Sequence, residues 1–424
     1  MLFIWLIYRA FRFGLSNIEL ADSLVILWIL FTFAFKKSCK KQTNMKRIVR
    51  YWLIIGMLVS SISCSENQMS VHKGKRLMTH QLSLVDSVMV DADATSGRGN
   101  FFMADSFVYF ADCYYMALYQ YKQDGTFVKR HFGKGQGPNE LVSFMYSYPI
   151  KDSKGECFLI DPSNIMFSYN TDDYQLKKRG RLDFGWENVD KDNYDSPSVY
   201  NIMEMSDFGI NMIALNDTLA LMPVSLINRQ LSGVSVDRYH KGHILAELNL
   251  QTMEVEKVVG KLPMIYLDKP TPLFEFFQYD MSGDTLFVNH AVDSLIYVYR
   301  YPDQLLYTMG YEVENVNREY TVGYNVDMEA FANDIKEVGS NIGLTYVPNE
   351  NLLFKTVLEG FSNSKTYLQA YKGNDLVLES EMPPFFKFLG YKNGIVYGVR
   401  MLPLETEDEY MYFIFYQYKL EKKD

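Results

Sequence analysis

Cysteine and histidine are scarce in this chain, with four Cys and six His among 424 residues. Those numbers exclude a disulfide framework and a Cys/His metal cluster, and the six His show no metal-ligand spacing; the closest pair, His240 and His243, lies in a loop-like stretch and reads as solvated. Positive charge is also in short supply. Residues 1–63 hold nine of the 42 Lys and Arg and two of the 51 Asp and Glu, so residues 64–424 carry 33 against 49, a net of −16. An acidic body of that size repels nucleic acid and anionic headgroups. The linear sequence shows no basic patch with interleaved aromatics, so no nucleic-acid partner is expected. No Gly-x-Ser-x-Gly elbow is present, and no nucleophile is nominated.

Long apolar runs are confined to the first 63 residues. "SLVILWILFTFAF" at 23–35 has 13 residues, short of the roughly 20 that a membrane-spanning helix needs. It reads either as part of an over-extended N-terminus, 1–44, or as a helix lying in the membrane. From Met45 a second unit follows. "MKRIVR" is a basic n-region, "YWLIIGMLV" an apolar h-region, and "SSIS" a small-residue site directly before Cys64. That order is a secretory signal peptide, 45–63. Ser61-Ile62-Ser63-Cys64 resembles a bacterial lipobox, with Ser61 where Leu is usual, and predicts lipidation of Cys64. The polar stretch 64–79 then reads as a tether.

What is abundant is aromatic: 32 Tyr and 29 Phe, residues that suit pleated sheets. A short apolar unit recurs from residue 106 onward. It is "SFVYFAD" at Ser106, "ECFLID" at Glu156, "TLALMP" at Thr218, "TLFVNH" at Thr285, "LLFKT" at Leu352 and "GIVYGV" at Gly394. The spacing averages about 58 residues. Most copies are followed by a strand ending in aromatics, a turn and a further strand, as at Asp124-Gly125. Four-stranded units repeated six times predict an all-β fold, a six-bladed β-propeller over 80–424. The sixth copy ends at "MYFIFYQYKL" and lacks a fourth strand, while "QLSLVDSVMV" at 81–90 has no partner. The N-terminal strand is therefore expected to close the last blade. One segment departs from the β pattern: Met328, Phe331, Ile335 and Val338 fall at helical spacing, with Asp327 as N-cap and Gly339 as stop, predicting a short helix between blades four and five.

"HFGKGQGPNEL" at 131–141 invites comparison with phosphate-binding loops. It fails both patterns, because no Gly-Lys-Ser/Thr follows and Pro138 stands where a helix would enter. It joins the outer strand "TFVKRHF" to the strand "LVSFMYSYPI" of the next blade, with the glycines expected at positive φ. Its polar residues Lys134, Gln136, Asn139 and Glu140 are the candidate ligand contacts, set against a purely structural turn. A strand ending in Phe-Gly followed by Gly-Gln-Gly-Pro-x-Glu resembles the six-bladed β-propeller lipoproteins of the TolB-like group of Gram-negative anaerobes. Asn139 stands where that group usually has a small residue. The phrases "VDSLIYVYRYPDQLLYTMGY" and "YLQAYKGNDLVLESEMP" fit the same resemblance.

The resemblance implies an outer-membrane lipoprotein facing the periplasm or the cell surface, and transfers no catalytic residue. The expected function is a lipid-anchored binding or assembly module. It would meet the membrane through its anchor and have a protein or glycan partner, without a cofactor. The alternative is a metal-dependent, lactonase-like hydrolase in the central channel. Asp112, Asp161, Asn289 and His290 lie at the ends of core strands, where turn and cap roles compete with such a site. Tyr114, Tyr115 and "FFQYD" at Phe276 read as packing between blades or as stacking surfaces for sugars. The acidic run 405–409 reads as a solvated turn.

Overall fold

The structure, a computed structural model, describes residues 72–423 except 93, 105, 143–145, 152–155, 162, 190–192, 204–211, 227–235, 269, 272–273, 315, 322–326, 363–364 and 402–411. Cys64, the signal region and the acidic run 405–409 lie outside the described residues.

Six antiparallel sheets follow one another along the chain. Blade one is β2 (Gly99–Ala104), β3 (Phe107–Asp112), β4 (Ala117–Lys122) and β5 (Phe127–His131). Blade two is β6 (Tyr146–Lys151), β7 (Glu156–Ile160), β8 (Ile165–Asn170) and β9 (Lys177–Arg181). Blade three is the five-stranded exception: β10 (Tyr200–Ile202), β11 (Ile213–Ala214), β12 (Leu219–Leu226), β13 (His243–Asn249) and β14 (Val255–Lys261), with both short strands pairing β12. Blade four runs from β15 (Phe277–Ser282) through β16 (Thr285–His290) and β17 (Ile296–Arg300) to β18 (Gln304–Met309). Blade five runs from β19 (Ser340–Val347) through β20 (Leu352–Leu358) and β21 (Thr366–Lys372) to β22 (Asp375–Met382). Blade six has β23 (Phe386–Lys392), β24 (Ile395–Met401) and β25 (Tyr412–Lys422), and its fourth strand is β1 (His80–Asp91). The fold is a six-bladed β-propeller.

The first strands of neighbouring blades touch, β2 with β23, β15 with β19 and β19 with β23, which puts them at the middle of the ring. The recurring apolar unit is the second strand of each blade. It is covered on both faces by adjacent blades, so it reads as a continuous apolar run rather than an alternating one. β3 is buried at every position after Phe107, and β20 throughout. The outermost strands have the opposite character: four of five residues of β5 and of β9 are exposed.

The expected closure is present. β1 pairs antiparallel with β25 from His80↔Lys422 to Asp91↔Tyr412, with one irregularity near Leu84. The seam between blades six and one is aromatic. Phe101 meets Phe413 edge-on at 4.8 Å and Phe415 at 5.9 Å. Closing a ring this way gives blade six its outer strand and ties the N-terminal to the C-terminal end of the propeller.

Residues 72–79, part of the stretch expected as a tether, lie along the outer edges of two blades. Lys73 N donates to Thr308 O of β18, and Leu77 N donates to Leu376 O of β22. Leu376 N donates to Lys75 O. Arg76 pairs with Glu379, and the Tyr311 hydroxyl donates to Gly74 O. Extended chain beside an open edge satisfies backbone groups that water would otherwise hold.

The expected helix is Met328–Glu337, with the Asp327 carboxylate accepting from Glu329 N at 2.9 Å and Ala330 N at 3.2 Å. Phe331 and Ile335 face a cluster of Tyr239, Tyr266 and Phe274, whereas Met328 is exposed. Among the described residues two further short α-helices occur, Val236–Lys241 and Ile265–Asp268. No helix of the described residues is long and apolar enough to cross a membrane.

Candidate functional site

The glycine-rich loop closes on itself. Leu141 N donates to Gly133 O at 2.8 Å, and Gly135 N donates to Leu141 O at 3.1 Å. Glu140 Oε2 accepts from Gly137 N at 2.8 Å. Of these amides, Gly137 N is taken by the chain's own carboxylate, and Gly135 N and Leu141 N by backbone carbonyls. The expectation of positive φ is not met. None of Gly133, Gly135 and Gly137 is left-handed, and the residue that is, Phe132 at 62°, precedes them. Glycine is required at 135 by proximity, because a Cβ there would stand 1.9 Å from Glu140 Oε2. Lys134 lies over the Tyr114 ring at 5.3 Å, and Gln136 is exposed. Asn139 Oδ1 accepts from Leu176 N at 3.0 Å, which fastens the start of β9 to the loop that leaves β5.

The strand-end residues make turns. Asp112 accepts from Ser96 N and from Tyr114 N and Tyr115 N. Asp161 accepts from Ser163 N and Ile165 N. Asn289 Nδ2 donates to Asp293 O and Leu295 O. His290 is fully buried among Tyr266, Phe277 and Tyr297, and burial holds its pKa down to about 3. His243 pairs with Asp195 at 2.9 Å, while His240 is exposed.

Near the middle of the ring, polar side chains tie one blade to the next. Lys387 of β23 donates to Asn100 of β2, and Asn341 of β19 donates to His290 O and Asp293 O of blade four. Asp280 of β15 accepts from Tyr346 N of β19 at 2.6 Å, and burial raises its pKa to about 6. These are seam contacts. Among the described residues no three His, Cys, Asp or Glu side chains converge to hold a metal ion.

A cleft of about 450 Å³ lies between blades one and two. It is lined by Phe107, Tyr109, Gln120, Lys129, His131 and the 171–174 turn that precedes β9. Tyr109, Gln120, Lys129 and His131 stand on one face because β3, β4 and β5 pair Tyr109↔Gln120 and Gln120↔Lys129. Their polar atoms are joined. His131 Nε2 meets Gln120 Oε1 at 2.9 Å, Gln120 Nε2 donates to the Tyr109 hydroxyl at 3.4 Å, and that hydroxyl meets the Tyr174 hydroxyl at 3.0 Å. The His131 and Tyr174 rings stack at 3.5 Å. Burial, with Lys129 nearby, lowers the His131 pKa to about 4, so the imidazole is neutral and serves as a hydrogen-bonding wall. Thr171, Asp172 and Asp173 form the opposite lip.

Sequence reasoning missed this wall, since its members are far apart in the chain. The available signal was Gln120, a lone amide in the apolar strand "ALYQY". β5 and β9, the outer strands of adjacent blades, carry Lys129, Arg130, Lys177, Lys178, Arg179 and Arg181, with exposed Phe127 on β5.

A family model described as a 6-bladed beta-propeller (DUF5128) matches residues 95–226. No curated protein matches the chain. Among solved structures, a member of the DUF4221 family from Bacteroides vulgatus is similar at 12% identity and TM-score 0.61, over 82% of this chain and 99% of that one. A protein of Bacteroides fragilis described as a candidate exported protein follows at 13% identity and TM-score 0.47, over 84% and 98%. The PQQ-bound aldose sugar dehydrogenase of Streptomyces coelicolor stands at 10% and 0.42, over 81% and 99%. At these scores the last two carry no argument, and the first is a likeness of fold alone. By fold and by the matched segment, this chain is similar to six-bladed propellers.

Proposed function

We propose that the protein is a lipid-anchored extracytoplasmic propeller of the TolB-like lipoprotein type, acting as a binding or assembly module through the cleft between blades one and two. The observation that carries the binding role is the preassembled wall of His131, Gln120, Tyr109 and Tyr174. Its polar atoms are already oriented, so little ordering cost remains for a ligand to meet. The anchor rests on the order of basic, apolar and small residues ahead of Cys64. Acyl chains contribute about 0.8 kcal/mol per buried CH₂, and the polar chain after Cys64 offers no substitute.

Two measurements test the reading. The intact protein should partition into detergent, and Cys64→Ala should release it or leave it unprocessed. Detergent partitioning that survives in processed Cys64→Ala protein overturns the anchor. A pull-down from native membranes should recover a partner that Lys129→Glu, at the cleft mouth, loses. Recovery unchanged by that substitution removes the cleft from the function.

A further inference from the structure

The cleft between blades one and two carries charge of both signs on opposite lips. Lys129 of β5 stands on one, and Asp172 and Asp173 of the turn before β9 stand on the other. Among the described residues none of the three forms an ion pair. His131 is neutral, so one cation against two carboxylates leaves the lining with a net charge of −1. The lining therefore repels a row of anions, and Lys129 opposes a cation.

Between the lips the lining is uncharged and polar. An amide oxygen has no proton, so His131 Nε2 is the donor to Gln120 Oε1, and the neutral ring keeps Nδ1 as an acceptor. Gln120 Nε2 spends one of its two hydrogens on the Tyr109 hydroxyl. Thr171 adds a hydroxyl. The seam contacts of Asn341 and Asp280 hold main-chain groups of the neighbouring blade, namely His290 O, Asp293 O and Tyr346 N. The three bonds that link His131, Gln120, Tyr109 and Tyr174 join side chains instead, and they border about 450 Å³ of open space. Half-buried Phe107 meets Tyr109 edge-on at 6.4 Å and adds an apolar surface to the same lining.

We propose that this cleft binds an uncharged saccharide, a short stretch of a neutral oligosaccharide. The proposal rests on the binding-module reading and names its ligand class. A sugar hydroxyl donates and accepts at once, so neighbouring hydroxyls of one ring satisfy donors and acceptors together. Lys129 and the second Gln120 N–H supply donors, and Asp172, Asp173 and His131 supply acceptors. The C–H face of the ring packs on Phe107. An uncharged ligand also brings no ion of its own to be stripped of water. The volume lies within the roughly 300–1,000 Å³ of small-molecule sites. A zwitterion would bridge the same lips, but through ion pairs, which salt weakens.

The test uses the full-length protein in detergent and saturation-transfer NMR observed on the ligand. The probes are neutral tetrasaccharides of glucose, galactose, mannose and N-acetylglucosamine, with polygalacturonate as the anionic control and the dipeptide glycyl-glutamine as the zwitterionic one. At least one neutral tetrasaccharide should bind, and its affinity should change by less than about twofold between low and high salt. Both controls should bind at least roughly tenfold more weakly. Asp172, whose carboxylate makes no hydrogen bond among the described residues, is the cleanest position to change. Asp172→Ala should weaken the saccharide roughly tenfold and leave melting unchanged. Gln120→Leu keeps the shape of the wall, removes its amide and should weaken binding as well. Binding of none of the neutral tetrasaccharides overturns the proposal. So does a control that binds as tightly as the best of them, or saccharide binding that neither substitution changes. If no saccharide binds while the pull-down still recovers a partner that Lys129→Glu loses, the binding-module reading stands without this ligand class.

Discussion

Glu140 fills the space that glycine opens at position 135. Its Oε2 accepts from Gly137 N at 2.8 Å and lies 1.9 Å from where a Cβ on Gly135 would stand. The loop therefore carries its own anion, with Gly137 N donating to a carboxylate three residues along the same turn.

That relationship sets the outcome of substitution. Glu140 is exposed and flexible, so Gly135→Ala should displace its carboxylate rather than break the backbone. The cost is the lost hydrogen bond, about 1 kcal/mol. Glu140→Ala should cost a similar amount, and the double variant no more than either alone, because both remove the same contact. Lys134→Ala should leave stability nearly unchanged. Thermal melts of the four variants check this. Additive losses in the double variant would show that Glu140 does not act through Gly135.

Much of the propeller was legible because each second strand is covered on both faces. Continuous apolar runs such as "SFVYFAD" and "TLFVNH" mark it without ambiguity. The lone strand β1 was legible through arithmetic, since "MYFIFYQYKL" needed a partner. The first strands were harder to read. β10 has three residues and β11 two, too short for any period to register. The cleft wall was hidden for a different reason. Tyr109, Gln120 and His131 belong to three strands, and Tyr174 to the next blade, so nothing in sequence order announces that they meet. For glycine in the 133–137 loop a positive backbone angle was expected, and side-chain approach at Gly135 is what occurs.

The edge segment 72–79 should contribute measurably to the stability of blades four and five. Gly74 has φ of 113°, and a Cβ there would stand 2.0 Å from Asn374 O. Gly74→Val combines left-handed strain with a backbone clash and should destabilise by roughly 1–3 kcal/mol. Arg76→Ala removes a partly exposed ion pair with Glu379 and should cost less than about 1 kcal/mol. Hydrogen exchange is the direct readout. Protection at Leu376 N, which donates to Lys75 O, should fall in Gly74→Val and persist in Arg76→Ala. Equal protection in both would mean that residues 72–79 do not depend on the conformation of Gly74.

Acid stability should depend on His290. Burial holds its folded pKa at about 3, against an ordinary 6.5, and neither ring nitrogen has a hydrogen-bond partner among the described residues. A depressed folded pKa means that the unfolded chain binds more protons between these values. Stability is then fully present above about pH 6.5 and is lost as pH falls towards 3. The loss between pH 7 and pH 4 is on the order of 3 kcal/mol. Asp280 acts in the opposite sense. Its folded pKa, raised to about 6, gives stability that is present at low pH and lost as pH rises through 6. The wild-type profile is a sum of the two, so the informative quantity is a difference. His290→Phe keeps a ring among Tyr266, Phe277 and Tyr297 and removes the titration. Its melting temperature should stand closest to wild type at pH 7 and rise progressively above it as pH falls to 4. A difference that stays constant across this range would mean that the imidazole titrates alike in both states.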